Sequence, residues 1–140
     1  MSEAIVVGTD GSETAKRAVA EAVRIAGALG AEVHIVSAYE PVRAVASPHL
    51  MPPVDDGTYA QSTVDDAAQE AGAANVTVKT HAVRGNPADA LVQVAAAVGA
   101  HMIVVGNQGM HGARRVLGSV PNSVSHKARC NVLIVSTDAP

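Results

Sequence analysis

The sequence predicts an α/β fold in which helices cover both faces of a parallel sheet. Short runs rich in Val and Ile alternate along the chain with longer segments whose apolar residues recur every three or four positions. Hydrophobic residues make up 48% of the chain, yet the only aromatic ones are Tyr39 and Tyr59, so the core must be aliphatic. A length of 140 residues is typical of one domain. Alternating strands and amphipathic helices of this kind are the pattern of parallel sheets with crossover helices.

The first 40 residues predict a strand, a helix and a second strand. Residues 4–9 (AIVVGT) form a short apolar run, which is typical of a buried strand. Ser12 is placed to cap a helix whose apolar positions follow the 3.6-residue period as far as Gly30. Residues 32–39 (EVHIVSAY) predict the second strand. Together these elements predict a βαβ unit.

The middle of the chain predicts a loop, a helix and an edge strand. Residues 40–57 contain four prolines, and we expect a long flexible loop there. A helix is expected over residues 58–71, ended by Gly72. Residues 75–83 (NVTVKTHAV) alternate apolar and polar side chains, as a half-exposed edge strand does.

The last third completes the alternation. Asn86 as cap and Pro87 in the first turn predict a third helix. A fourth strand (HMIVVG, 101–106) precedes a glycine-rich stretch, a final helix (PNSVSHKA, 121–128) and a final strand (NVLIVS, 131–136). We therefore expect the order β-α-β-α-β-α-β-loop-α-β in a single domain over residues 1–140. Ligands of such sheets bind beyond the carboxyl ends of the strands, at the switch point of the topology.

Composition limits the location of the protein and its partners. No run approaches the roughly 20 apolar residues of a membrane span, and the start of the chain lacks the basic and apolar parts of a signal peptide. The single Cys130 excludes an internal disulfide and is typical of a reducing compartment. We expect a cytoplasmic protein without a membrane partner.

The charges are distributed unevenly. The net charge is −3, but residues 1–70 carry eleven acids and four bases, whereas residues 71–140 carry two acids and six bases. A basic second half favours a small anion as ligand, although solvated helix faces account for the same numbers. No interleaved aromatic residues offer a stacking surface for single strands, and nucleic-acid binding is not expected.

Residues 106–119 form a candidate phosphate-binding loop. Phosphate groups need free N–H groups, space for close approach and a helix N-terminus. Gly106 and Gly109 leave the end of the fourth strand uncovered, and Gly118 and Ser119 open the last helix, where Ser119 can cap it or contact a phosphate. Further donors or cations follow the strand: Asn107, His111, Arg114, Arg115 and the N–H group of Val120. The stretch lacks both the GxxxxGK[ST] and the GxGxxG patterns, so neither standard loop applies.

One segment of the chain resembles another. Residues 5–11 (IVVGTDG) and 103–109 (IVVGNQG) share five of seven residues. If the first and fourth strands lie side by side, their two glycine loops form one pocket. Independent convergence of two buried strands is the alternative explanation.

These residues resemble the universal stress protein family. The resemblance rests on VVGTDGS, on RGNPADAL, on Gly106-x2-Gly109-x8-Gly118-Ser119 and on the closing VLIV, and it extends over residues 4–136. It implies an open five-stranded parallel sheet in the order 3-2-1-4-5, a Rossmann-like arrangement that places the first and fourth strands together. It also implies a homodimer formed through the last strand.

The resemblance further implies a site for an adenine nucleotide. Asp10 would bond the ribose, with Thr9 near the adenine, and Ala38 would line the adenine pocket. Ribose and phosphates would lie against a set of residues from the loop and the last helix: Gly106, Gly109, Gly118, Ser119 and Val120. Asn107 and Arg84 are further candidates near the site.

The sequence departs from the family motif at one position. The ATP-binding branch has nine residues between its second and third glycines, whereas eight lie between Gly109 and Gly118. A tighter loop leaves adenosine recognition intact and affects the triphosphate. The expected ligand is ATP, which can carry Mg²⁺, and cyclic AMP or AMP is the alternative.

Other polar residues carry weaker signals. Asp10 has capping of the first helix as its alternative role. His34, His81 and His101 are spread along strands without the spacing of metal ligands, so no metal site is expected. Asp65 and Asp66 are expected on a solvated helix face. No residue set indicates catalysis, and between residues 85 and 136 the only acid is Asp89. The expected function is a nucleotide-binding regulatory module of the stress response, with a slow ATP-hydrolysing enzyme or a nucleotide-free dimeric interaction protein as alternatives.

Overall fold

A computed structural model of the protein describes residues 3–40, 57–107, 110–111, 114–115 and 118–136. The strands are β1 (Ala4–Gly8), β2 (Glu32–Tyr39), β3 (Val78–Arg84), β4 (Met102–Gly106), β5 (Met110–His111), β6 (Arg114–Arg115) and β7 (Asn131–Val135). Five of them form one parallel sheet in the order β3-β2-β1-β4-β7. This is the expected 3-2-1-4-5 order, and the fold prediction is confirmed.

Helices lie on both faces of the sheet. They are α1 (Glu13–Leu29), α2 (Thr58–Ala71), α3 (Pro87–Val98) and α4 (Ser119–Lys127). One aliphatic cluster joins α1 and α2 to one face, and a second joins α3 and α4 to the other. Neighbouring strand residues alternate between the two clusters, as Ile5 and Val6 do, because successive side chains of a strand point to opposite faces.

The helix ends confirm the capping signals of the sequence. The Ser12 hydroxyl accepts a hydrogen bond from the N–H of Ala15 at 3.2 Å, and α1 ends at Gly30 with φ 68°. Asn86 caps α3 through its side-chain oxygen, which accepts from the N–H of Asp89 at 2.9 Å. Each cap satisfies a backbone group that the helix itself leaves without a partner.

The starts of β3 and α4 differ from the sequence-based expectation by two residues or more. β3 starts at Val78, three residues later than expected, because a 3-10 turn at Gly72–Ala74 is followed by Asn75 at φ 58°. A left-handed residue cannot continue a strand. Gly118 is the N-cap of α4, so Ser119 is its first helical residue and not its cap.

The segment over residues 106–119 contains regular structure that was not expected. β5 pairs with β6 in an antiparallel ladder, in which Met110 faces Arg115 and His111 faces Arg114. Gly109 and residues 41–56 of the expected proline-rich loop lie outside the described residues.

None of the helices in the described part of the chain has both the length and the hydropathy of a transmembrane span.

Candidate functional site

A cavity of about 150 Å³ opens at the carboxyl ends of the central strands. β1 pairs directly with β4, with Val6 opposite Ile103, so the strands of the two similar segments lie side by side, and Gly8 and Gly106 both line the cavity. The cavity is lined by residues from three strands, from the turn after β1 and from the first turns of three helices: Gly8, Thr9, Asp10, Thr14, Ala15, Val36, Ser37, Ala38, Pro87, Leu91, Val105, Gly106, Val120 and Pro121. This is the edge at which ligands of open parallel sheets bind.

The deep part of the cavity is apolar and tightly packed. Val36, Leu91 and Val105 are all buried. A Cβ atom at Gly8 would lie 3.1 Å from Cδ1 of Leu91, closer than ordinary van der Waals contact. Because Gly8 has no side chain, Leu91 can pack against β1 without filling the cavity. The volume is below the roughly 300–1,000 Å³ of complete small-molecule sites, so the deep part suits one flat apolar group of a larger ligand.

The turn between β1 and α1 places polar groups at the cavity mouth. The hydroxyl of Thr9 accepts a hydrogen bond from the N–H of Gly11 at 3.1 Å, and Gly11 adopts φ 84°. Oδ1 of Asp10 accepts from the N–H of Ser12 at 2.9 Å. Among the described residues, Oδ2 of Asp10 has no hydrogen-bond partner, so this exposed carboxylate both supports the turn and retains an acceptor for a ligand.

Three helices direct their N-termini at this edge. Thr14 of α1, Pro87 of α3 and Val120 of α4 all line the cavity. Each helix N-terminus carries the equivalent of roughly half a positive charge. α1 and α3 have side-chain caps and an acid in the first turn, whereas α4 has Gly118 as N-cap and no acid in its first turn. α4 is therefore the N-terminus best suited to an anionic group.

The expected site residues divide into four groups. Five of them line the cavity: Thr9, Asp10, Ala38, Gly106 and Val120. Gly118 and Ser119 lie at the start of α4, next to the lining residues Val120 and Pro121. Asn107 is buried outside the lining, and its N–H donates to the carbonyl of Val135 at 3.1 Å. Gly109 lies outside the described residues, and the ligand role of every one of these residues stays a prediction.

None of the cationic candidates is among the described lining residues. Arg84 is exposed at the end of β3, opposite Tyr39, and is not part of the described lining. His111, Arg114 and Arg115 are described by their backbone in β5 and β6 alone.

Sequence reasoning missed several lining residues. The apolar ones, such as Leu91, were expected only as core, and Thr14, Ser37 and Pro121 carried no signal of their own. Their common feature is position, because each lies near the carboxyl end of a strand or in the first turns of a helix. That rule could have identified them once the strand order was known.

Acidic residues are scarce around the cavity. Asp10 is the only acid among the described lining residues. Asp89 is exposed and bonds Lys127 at 2.7 Å and Asn86 at 2.6 Å, and these two hydrogen bonds, the first above all, lower the pKa of its carboxyl. Asp65 and Asp66 are exposed on α2, as expected. Among the described residues, no group of three His, Cys, Asp or Glu side chains is arranged to hold a metal ion.

Wider depressions lie elsewhere along α2. One of about 480 Å³ lies between α1 and α2, and another of about 680 Å³ lies beside Tyr39. Polar and charged residues of α2, such as Gln69 and Glu70, line the first of them. Neither has the predominantly apolar wall of the cavity between β1 and β4, which we take as the candidate site.

Comparisons with known proteins agree with this architecture. The sequence profile of the Universal stress protein family matches residues 1–136. A universal stress protein of Mycobacterium tuberculosis, Rv1636, is 40% identical over 144 residues, which cover 95% of each chain. The crystal structure of a universal stress protein in complex with cAMP superposes with a TM-score of 0.77 at 37% identity, covering 97% of this chain and 98% of that one. A universal stress protein from Archaeoglobus fulgidus in complex with dAMP superposes with a TM-score of 0.74 at 25% identity, covering 94% and 96%. The chain belongs to the universal stress protein family.

Proposed function

We propose that the protein is a regulatory binding module for an adenine nucleotide, held in the cavity between β1 and β4. The observation that carries this proposal is the pairing of an apolar cavity with the α4 N-terminus, which lies at its mouth without an acid or a side-chain cap. The cavity would take the base, and the helix N-terminus would take the phosphate.

The base fits the apolar part of the cavity. Val36, Ala38 and Leu91 offer a wall from which a flat heterocycle displaces water, and Thr9 and Ser37 supply polar groups at its edge. Asp10 lies at the mouth with a free carboxylate oxygen, in reach of a ribose hydroxyl.

The phosphate fits the first turn of α4. The N–H groups of Ser119 and Val120 belong to the first helical turn, in which Pro121 has no N–H to offer. Hydrogen bonds to an anion are roughly twice as strong as those between neutral groups. Two such bonds and the helix dipole would therefore orient one phosphate group.

A nucleotide with a single phosphate is the ligand we favour. Two relatives of known structure were solved with cAMP and dAMP, each of which carries one phosphate. The loop between Gly109 and Gly118 is one residue shorter than the ATP-binding motif, which affects the outer phosphates first. ATP with Mg²⁺ is the alternative ligand.

Calorimetric titration of the nucleotide-stripped protein tests this function. ATP, ADP, AMP and cyclic AMP would each be titrated with and without Mg²⁺. We expect AMP or cyclic AMP to bind most tightly and without Mg²⁺. Tighter, Mg²⁺-dependent binding of ATP would establish the triphosphate mode, and absence of heat with all four ligands would refute the nucleotide site.

Asp10→Ala is expected to lower the affinities for AMP, cyclic AMP and ATP by a similar factor, because Asp10 would contact the ribose that the three ligands share. Loss of a hydrogen bond to a charged group costs about 1.5–3 kcal/mol, which corresponds to roughly 10- to 150-fold in affinity. Titration of the three ligands measures the effect.

Asp66→Ala is the matched control, since Asp66 is exposed on α2 and outside the cavity lining. Thermal unfolding of both variants separates binding from the structural role of Asp10 at the turn. Unchanged nucleotide affinity in Asp10→Ala would show that Asp10 supports the turn and does not contact the ribose.

The enzyme alternative receives less support from the site. A phosphoryl-transfer enzyme needs a base or metal-binding carboxylates near the phosphate. Asp10 is the only acid in the described lining, and Asp89 is engaged with Lys127 and Asn86. Release of phosphate from ATP at a rate that Asp10→Asn abolishes would favour the enzyme.

Dimerisation through β7 forms part of the proposal. β7 is an edge strand with the sequence NVLIV, in which Val132–Val135 are half-buried, whereas the other edge strand, β3, carries Lys79 and Arg84. Apolar edge strands are sites of association between chains. β4 would connect the two functions, because it ends in the cavity at Gly106 and pairs with β7 along its other side.

Ile134→Lys is expected to raise the dissociation constant of the homodimer at least about tenfold, because it places a charge on the apolar edge. Sedimentation velocity over a dilution series measures this constant. Val83→Lys on β3 is the control, because Val83 packs half-buried against the same core cluster. A wild-type monomer, or an equal effect of both variants, would contradict a β7 dimer and with it the dimeric interaction alternative.

A further inference from the structure

Three polar side chains form a chain of contacts on β2 and β3, outside the nucleotide cavity. Nδ1 of His34 lies 2.8 Å from Nε2 of His81, and Nε2 of His34 lies 2.8 Å from Oε1 of Glu32. The side chain of His34 is 3% exposed. We name Glu32, His34 and His81 the histidine clasp. The two histidines are 47 residues apart in sequence, and only the β2–β3 register brings them together.

The two imidazole rings meet edge to edge. Their centroids are 5.1 Å apart and their planes differ by 25°. The distance between the centroids equals about the distance between the two nitrogens, 2.8 Å, plus one ring radius on each side. The two nitrogens therefore lie on the line that joins the ring centroids. This is the geometry of an in-plane N–H···N hydrogen bond and not of stacked rings.

The number of protons decides whether the clasp holds. When both rings are neutral, Nε2–H of His34 donates to Glu32 and its Nδ1 accepts from Nε2–H of His81. One additional proton is tolerated, because a His34 imidazolium donates both to Glu32 and to a neutral His81. A second additional proton leaves N–H groups on both facing nitrogens and no acceptor between them. The hydrogen bond is then lost, and two cations face each other.

The surrounding charges disfavour that second proton. Partial burial, His34 and Lys79 lower the pKa of His81, in that order of size. Nζ of Lys79 lies 3.7 Å from Oε2 of Glu32. α3 packs against β2 on the same face as the clasp. Its titratable side chain is Asp89, which is bonded to Lys127. α2 packs on the face of the sheet to which Val78 points, and His81 points to the opposite face because side chains alternate along β3. The titratable groups of α2 therefore lie on the other side of the sheet from the clasp: Tyr59, Asp65, Asp66 and Glu70.

We propose that the histidine clasp is an acid-sensitive fastening between β2 and the edge strand β3, which opens when both imidazoles become protonated. Opening removes the side-chain bond that connects the strands at His34 and His81. Further along the same ladder, Ala82 and Val83 pair with Ser37 and Ala38 of the cavity wall. Acidification therefore loosens β3 and, with it, the support of that wall.

The direction of the pH dependence follows from the lowered pKa of His81. In the unfolded chain His81 takes up a proton near its ordinary pKa of 6.5. In the folded chain His81 does so only at lower pH. The stabilisation is present above pH 6.5 and is lost as the pH falls through the folded value. Glu32, whose pKa is lowered first by its bond to His34, acts in a separate window below its ordinary 4.5.

Thermal unfolding of the ligand-free protein between pH 7.5 and 5.0 tests the clasp. We expect the wild-type Tm to fall across this range by several degrees. His81→Gln keeps an amide that can bond Nδ1 of His34 but does not titrate, so its Tm should change clearly less. His101→Gln is the matched control, because His101 is exposed at the start of β4, and it should retain the wild-type slope.

A second measurement does not depend on the variants. NMR titration of the histidine ring protons in the wild type should give His81 a midpoint below that of an unfolded-chain histidine. Hydrogen exchange at pH 5.5, compared between the wild type and His81→Gln, should show faster exchange in β3 of the wild type. An ordinary or raised midpoint for His81, or equal pH slopes in the wild type and His81→Gln, would overturn the clasp. None of these measurements uses a nucleotide, so they stand or fall independently of the proposed function.

Discussion

Gly118→Val is expected to lower the affinity for AMP and cyclic AMP by about 100-fold or more. Gly118 caps α4, and a branched side chain there would stand over the N–H groups of Ser119 and Val120 that are proposed to hold the phosphate. Loss of two charged hydrogen bonds, at about 1.5–3 kcal/mol each, accounts for this factor. Calorimetric titration compares the variant with the wild type.

The fold should survive this substitution. Gly118 has φ −61° and ψ 164°, a conformation that valine adopts without strain. Gly72→Val is the matched control, since Gly72 has a similar φ of −60° and no atom within 4 Å of an added Cβ. Tight nucleotide binding by Gly118→Val, with an unchanged circular dichroism spectrum, would show that the phosphate does not lie at α4.

Gly8→Val is expected to abolish base binding by filling the cavity. The added Cβ would meet Cδ1 and Cδ2 of Leu91 at 3.1 and 3.2 Å, and the valine methyl groups would extend into the space beside it. Overpacking of this kind costs about 1–3 kcal/mol of folding stability. We therefore expect at least about a 100-fold loss of affinity, near 2.7 kcal/mol, together with a lower urea midpoint.

A second substitution tests whether Gly8 and Leu91 act through the same space. Leu91→Ala alone should cost about 2–5 kcal/mol of stability, because it leaves a void under the sheet. In the double variant with Gly8→Val, the added valine methyl groups can occupy the space that Leu91 leaves. The double variant should therefore lose less stability than the sum of the two single losses. Additive losses of stability would show that Gly8 and Leu91 do not share this space. Wild-type affinity in Gly8→Val would place the base elsewhere.

The proposed site and the histidine clasp use the same strand in different ways. β2 carries His34 near its start and has Ser37 and Ala38 near its end, in the cavity wall. Ligand binding would act at the carboxyl end of the strand, whereas protonation acts closer to its start. A strand that is hydrogen-bonded on both sides can transmit both effects to the cavity.

Local signals were sufficient for most of the fold. Ser12, Gly30 and Asn86 mark helix ends through interactions with their own neighbours in the chain, and these do not depend on the rest of the molecule. The exceptions lie where local preference is weak. β5 and β6 each contain two residues, too few for a period-two pattern, and the turn at Asn75 depends on how α2 meets the sheet.

The candidate site was predictable in part. Thr9, Asp10 and Gly106 follow apolar strands directly, so their place at the carboxyl edge follows from the sequence once a parallel sheet is inferred. Leu91 and Pro121 have an aliphatic or ring side chain that serves equally well in a core, and chemistry alone does not distinguish these uses. The backbone N–H of Asn107 donates to Val135 of β7, which the sequence did not indicate, and the role of Asn107 in the site stays a prediction.

The sequence by itself determined the alternation of the main strands and helices and the helix ends at Ser12, Gly30 and Asn86, because each depends on residues within a few positions of one another. Only the tertiary structure decided which distant residues meet. The pairing of β1 with β4 brings Gly8 and Gly106 to one cavity, and the register of β2 against β3 brings His34 to 2.8 Å from His81. Spacing along the chain carries no information about such contacts, because they are set by the strand order and by which side chains share a face of the sheet.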